Sequence, residues 1–304
     1  MNVLKTINQK EFNMNKLTFV SAIAGIVVLA IIAACRDDSN SKKLSFDTNR
    51  EITVITREAG SGTRDAFTEL VGILVKQNGK KKDNTTVEAL TIDGTQGVIS
   101  TVAGNEYAIG YISLGSMNNS VKALKIDGVS PDKLNVKRGT YPIARPFNVA
   151  TKSQISEIAQ DFLDFIMSAD GQSIVDASGY VSVVEGKVYE SKNLKGKIVI
   201  AGSSSVSPVM EKLKEGYLQK NPGVEIEIQT NDSSSGMLAA KEGTCDIGMA
   251  SRDLKSTEKD VLNSLTIARD GIAVIVNSKN PQDNLNKETL RQIYTGLIRN
   301  WNVK

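Results

Sequence analysis

Residues 56–67, TREAGSGTRDAF, set Gly60, Ser61 and Gly62 between Arg57 and Arg64. Small residues leave backbone N–H groups bare, and a guanidinium supplies a planar fork of donors. Such a group suits a small, dehydrated, multiply charged oxyanion. Spacing alone leaves a second reading open, surface ion pairing with Glu58 or Asp65. Two further stretches share the character: AGSSSVSP (201–208) and NDSSSGM (231–237). Hydroxyl residues at a helix start can simply cap it. Three such junctions in one chain favour an anion, because helix N-termini carry free N–H groups and partial positive charge. Hydrogen bonds to a charged group contribute about 1.5–3 kcal/mol each, so several suffice for micromolar or tighter binding, about −8 kcal/mol.

The elements that must position these residues alternate in type. Strand candidates are ITVIT (52–56), AIGYISL (108–114), KIVIAG (197–202), VEIEIQT (224–230), DIGMAS (246–251) and GIAVIVN (271–277). Spacings of three and four predict helices through Phe67, Leu70, Val71 and Leu74, through Val206, Val209, Met210 and Leu213, through Ile155, Ile158, Ala159 and Phe162, and through Leu290, Ile293 and Tyr294. Alternation of this kind implies an α/β fold with mainly parallel or mixed sheets.

Composition excludes several classes. A charge of +3 and 5% aromatics argue against a nucleic-acid partner. Histidine is absent, which removes the commonest general base, most zinc sites and any Ser-His-Asp triad. GSGT is not followed by Gly-Lys-Ser/Thr, so the nucleotide loop is missing, and no G-x-S-x-G elbow occurs in the serine clusters. Ser-Lys chemistry is the one hydrolase arrangement left; the chain reads as a non-enzyme without cofactor or metal. Lys16, the apolar run 17–32 and Ala33-Ala34-Cys35 form a leader, with Met14 as the better start. IAAC is similar to the bacterial lipobox, so Cys35 is the expected lipidation site. Removing Lys5, Lys10, Lys16 and Glu11 with the leader lowers the charge to +1. Cys245 is then the sole thiol inside the chain, a small buried side chain beside a strand. Residues 36–47 read as a flexible tether.

VITREAGSGTRDAF, KIVIAGSSSVSPVMEKL, GTCDIGMASRDL, DGIAVIVNSKNP, AIGYISLGSM and IYTGLIRNW together resemble the phosphate-binding protein of the bacterial phosphate-specific ABC transporter. The resemblance runs from about residue 48 to 304, but in rearranged order: family members start with the AGSSSVSP-like segment and end near GYVSVV. The chain resembles a circular permutant, its new ends falling between Trp301 and Ile52 and its old ends joined through 185–197. Lys304 is therefore expected close to 47–51.

What the resemblance implies is an α/β, two-lobed periplasmic-binding-protein-like fold with a ligand cleft between lobes. Residues 48–138 plus 282–304 would form one lobe and 142–277 the other, with crossovers near 139–141 and 278–281. The family's phosphate ligands fall on Arg57, Gly60, Ser61, Gly62, Thr63, Ser204, Ser205, Ser233 and Ser251. Arg64, Ser234 and Ser235 are further candidates. Ser251 stands where well-known members carry an Asp, and Ala59 where they often carry an acid beside the Arg; Asp232, Asp246 and Asp253 are the substitutes considered. A hydroxyl donates or accepts, so it separates phosphate from sulfate, molybdate or tungstate less sharply than a carboxylate. The resemblance further implies a monomer, permease subunits as partners, and a lipid-anchored place outside the cytoplasm, in the periplasm or on the outer face of the cytoplasmic membrane. A sensor or adhesin using the same fold is the alternative without transport.

Overall fold

The computed structural model describes residues 46–77 and 79–303. Cys35, most of the tether and Lys304 lie outside the described residues. Among the described residues no helix is long and apolar enough to cross a membrane.

A mixed sheet is the spine. Its order is β10 (Val224–Asn231), β9 (Gly196–Ser203), β11 (Ile247–Ala250), β8 (Ala144–Thr151), β12 (Asn263–Asn277), β5 (Ala108–Ser113), β1 (Thr53–Arg57) and β4 (Leu90–Ile92), with β6 (Val121–Ala123) also on β12. At one end β9, β10 and β11 run parallel; at the other β1, β4 and β5 do. The antiparallel pair β8 and β12 lies between them. Residues 263–271 of β12 pair with β8, whereas Ile272–Val276 pair with β5. The passage between lobes thus falls inside β12 at Gly271, within the stretch 142–277 that the resemblance assigned to one lobe. Two short sheets, β2 (Leu74–Gln77) with β3 (Lys80–Asp83) and β7 (Lys125–Ile126) with β13 (Asn284–Leu285), stand apart.

Each lobe owns a core. Phe147, Phe162, Phe165, Ile198, Ile200, Val209, Leu213 and Tyr217 fill one. Ile109, Tyr111, Phe67, Val274, Leu290, Tyr294 and Trp301 fill the other. The predicted helical stripes supply both. Helix α1 (Gly62–Val71) buries Phe67, stacked on Tyr111 at 4.0 Å between ring centroids. It stops at Gly72, whose φ of 82° suits glycine, so Leu74 belongs to β2 and not to the helical stripe. Helix α4 (Glu157–Ile166) buries Ala159 and Phe162; Ile155 precedes it. Helix α6 (Ser207–Lys220) buries Val209, Met210 and Leu213, and α9 (Lys287–Tyr294) buries Leu290, Ile293 and Tyr294. Between these lie α2 (Gly94–Gly104), α3 (Lys133–Arg138), α5 (Ala169–Ala177), α7 (Ser233–Glu242) and α8 (Ser256–Lys259).

The described ends of the chain meet. Ile52 N donates to Arg299 O at 2.8 Å, Glu51 bridges Asn300, and Phe46 packs edge-on against Trp301.

Candidate anion-binding site

Parallel strands from both lobes end at one place. β1 ends at Arg57, β4 at Ile92, β9 at Ser203, β10 at Asn231 and β11 at Ala250. Ligands of α/β sheets lie beyond such carboxyl ends, where the following helices present their N-termini. The residues just past these strand ends meet between the lobes. Arg57 Nη2 donates to Ser204 Oγ at 3.0 Å. Thr63 Oγ lies 2.8 Å from Ser205 Oγ and 3.5 Å from Ser251 Oγ. Ser251 N donates to Ser233 Oγ at 3.1 Å. A Cβ on Gly62 would come within 2.9 Å of Ser251 Oγ and closer still to Ser233 Oγ, so glycine is required for this approach. The lobes are closed on one another here, and Arg57, Ser61, Thr63, Ser205, Ser233 and Ser251 are all buried.

Arg57 is 2% exposed. The ion pair with Glu58 that the spacing allowed is present, but with its guanidinium buried and not on the surface. Glu58 takes Nε and Nη2 at 2.7 and 2.6 Å, and Ser204 takes Nη2 from the other lobe. Glu58, one residue before Ala59, thus supplies an acid beside the Arg. Nη1 has no partner among the described residues. A buried guanidinium N–H left free is costly, which makes it a docking point for an acceptor. Tyr111 Oη braces the strand end, accepting from Arg57 N at 3.2 Å. Burial pushes its hydroxyl up to about 12, so it stays protonated.

The other named residues divide. Gly60, with φ of 89°, turns its carbonyl to Ser234 N and Oγ at 3.2 and 3.3 Å. Ser61 Oγ caps α1 through Arg64 N. Arg64 turns away to Asp83 and to the Arg57 carbonyl, and Asp65 pairs instead with Arg252 of the facing lobe at 3.0 Å. Ser235 Oγ donates to Asp232, which caps α7 through Ser234 N and Ser235 N at 2.8 and 2.9 Å. Ser234 and Ser235 therefore stand outside the hydroxyl cluster. Asp246 accepts from Val199 N at 2.8 Å. Arg252 reaches only the backbone carbonyl of Asp253 and pairs with Glu258 and Asp65 instead. Cys245 is buried, and burial pushes its thiol up to about 11.

Sequence reasoning missed three participants. Thr95, at the start of α2, places Oγ 3.4 and 3.3 Å from Ser204 and Ser205 Oγ. IDGTQGV (92–98) carries the same signal as the other junctions, Gly plus hydroxyl at a helix start, but β4 is too short to read as a strand. Arg145, fully buried on β8, donates Nη1 to the Ser251 carbonyl at 3.1 Å and pairs with Asp270. Arg252 spans the lobes, and no local pattern foretells its Asp65 partner. An open cavity of about 660 Å³ beside α1 is lined in part by Arg145 and Arg252, while Arg57, Thr63 and the clustered serines do not line it.

The fold defines a two-lobed protein of the periplasmic-binding type, with hydroxyl groups and one buried arginine gathered between its lobes. The PBP superfamily domain matches residues 37–170 and 187–303. Phosphate-binding protein PstS 2 of Streptococcus agalactiae serotype V is 44% identical over 290 residues, 94% of this chain and 97% of that one. A crystal structure of a phosphate ABC transporter's phosphate-binding protein from Streptococcus pneumoniae TIGR4 aligns with a TM-score of 0.67 and 47% identity over 83% of this chain and 98% of that one. The Bacillus subtilis phosphate-binding protein PstS is 30% identical over 190 residues, 56% of this chain and 60% of its own length. The chain belongs to the phosphate-binding PstS family of the PBP superfamily.

Proposed function

We propose that this protein captures inorganic phosphate outside the cytoplasm and hands it to the permease of an ABC importer, held to the membrane by a lipid on Cys35. The observation that carries the reading is Arg57: a buried guanidinium whose Nη2 is joined across the lobes to Ser204, whose Nη1 has no partner among the described residues, and beyond whose Ser204 contact the hydroxyls of Ser205, Thr63, Ser251 and Ser233 are linked in series through Thr95. Capture is hinge closure about β8 and β12 and requires no covalent chemistry. The ligand set is Arg57, the Gly60–Thr63 loop, Ser204, Ser205, Ser233 and Ser251; Arg64, Ser234 and Ser235 drop out because their side chains serve other partners.

The permuted order belongs to this reading. Near-complete coverage of the streptococcal relative, against little over half of the Bacillus one, supports it. So does the meeting of Ile52 with Arg299.

One observation favours a wider ligand range. The nearby carboxylates are occupied: both Glu58 oxygens by Arg57, and Asp232 by the α7 cap. Acceptance of a protonated oxyanion then rests on hydroxyls, which also tolerate sulfate. Titration calorimetry with phosphate, sulfate and molybdate separates the readings. Tight sulfate binding with none for phosphate would end the phosphate assignment. Arg57→Ala is expected to weaken phosphate binding about 100-fold, the equivalent of about 3 kcal/mol of charged hydrogen bonding. Unchanged affinity would remove the site.

A further inference from the structure

We propose that Thr95 is a further ligand of the anion pocket, contributed by the β4–α2 junction; the proposal rests on the phosphate reading above. Three observations converge on it. Thr95 is 4% exposed, and its Oγ stands between two hydroxyls of the facing lobe, 3.4 Å from Ser204 and 3.3 Å from Ser205. Those serines carry on to Arg57 at 3.0 Å and to Thr63 at 2.8 Å. Thr95 thus sits where the guanidinium string and the Thr63 string come together.

The second observation is the helix itself. α1 and α7 are closed at their N-termini by the side chains of Ser61 and Asp232. α2, eleven residues long, has no side-chain cap, since Asp93 makes no such bond. Its first-turn N–H groups and its positive end are left for a ligand. Gly94 N is the exception: it donates to Glu58 Oε2 at 3.3 Å, and Glu58 grips Arg57 through two bonds. Helix end and guanidinium are therefore held as one unit.

The third observation is the free Nη1 of buried Arg57. With the pocket filled, the Thr95 hydroxyl donates its proton to an anion oxygen. Its lone pairs are then open to Ser204 or Ser205, or to the proton of a hydrogen phosphate. It supplies a two-way hydroxyl from the lobe opposite Ser251.

The test uses the full chain with inorganic phosphate. Thr95→Val keeps the shape and removes the hydroxyl; Thr95→Ser keeps the hydroxyl. Calorimetry is expected to give about tenfold weaker phosphate binding for Thr95→Val, the loss of one hydrogen bond to a charged ligand, and near wild-type binding for Thr95→Ser. The unliganded Tm of Thr95→Val is expected to match wild type, while the rise in Tm on adding phosphate shrinks. Wild-type affinity in Thr95→Val, with Arg57→Ala still defective, overturns the Thr95 role alone. So does a Thr95→Val protein whose unliganded Tm falls and whose affinity loss Thr95→Ser shares, because that pattern is structural. A wild-type chain that binds no phosphate overturns this proposal and the function above together.

Discussion

Arg145 and Asp270 face each other across β8 and β12, both fully buried, with Nη2 to Oδ2 at 3.1 Å. Burial pushes the Asp270 carboxyl up to about 6, although Arg145 pulls it the other way. The folded protein therefore holds a proton that the unfolded chain has lost between about pH 4 and 6, and this group's contribution to stability falls as pH rises through that window. Asp270→Asn removes the titration. The stability of wild type relative to Asp270→Asn, read by denaturant unfolding, is expected to decline from pH 4 to 6 with a slope of at most about 1.4 kcal/mol per pH unit, then level off. A difference independent of pH would contradict it. At this scale the sequence pointed to Arg57, Thr63 and the serines, because glycine, hydroxyls and arginine at a strand end form a local pattern. Glu58 was legible only as an ion-pair partner, and Arg145 not at all, since its role is set by a carbonyl more than 100 positions away.

Among the elements, the stretch between α5 and β9 has the least regular structure and the most consequence. Residues 182–195 carry neither helix nor strand. They are pinned to the Ser204-bearing lobe by Asp161, fully buried, whose Oδ2 accepts from Tyr189 and Tyr217 hydroxyls at 2.6 and 2.8 Å while Lys192 pairs with Oδ1 at 3.2 Å. Ala169 N donates to Lys187 O, and Ser191 donates to Asn221. If this stretch joins former ends, neither α5 nor β9 needs it for continuity. A chain opened beside exposed Asn193, with residue 303 linked to residue 46 through a short Gly/Ser bridge, is expected to fold and to bind phosphate within about threefold of wild type. Aggregation, or folding without binding, would count against the rearranged order. Helix and strand types were legible from periodicity in most segments. β8 was not, because from Phe147 onward it is buried without a break and shows no alternation, nor was the first half of β12, whose polar, partly exposed residues carry no strand period.

For the molecule as a whole, the direction of the chain matters. Described residues begin at Phe46, packed on Tyr107 at 4.8 Å and on Trp301, at the end of β1 remote from Arg57. Ten residues, 36–45, separate Cys35 from this point, a reach of at most about 35 Å when extended. With Cys35 acylated, the protein is expected in the membrane fraction, and Cys35→Ala in the soluble fraction with unchanged phosphate affinity. Recovery of both in the soluble fraction would remove the anchor. Two lobes were expected from the family resemblance and not from the alternation of elements, which implied only an α/β fold. Their closure could not be anticipated: it rests on Asp65 with Arg252, Thr63 with Ser205 and Gly60 with Ser234, pairs that lie far apart in sequence.

By itself the sequence determined the class of fold, the donor-rich strand-to-helix junctions and the exclusion of histidine chemistry. Each depends on residue type and short-range spacing, which backbone geometry translates directly. Only the tertiary structure decided which hydroxyls meet, that Thr95 lies beside Ser204 and Ser205 while Arg64 turns to Asp83, and where β12 changes its strand partner. Those outcomes depend on which strand ends the sheet order brings together, and sheet order is fixed by packing across the whole chain.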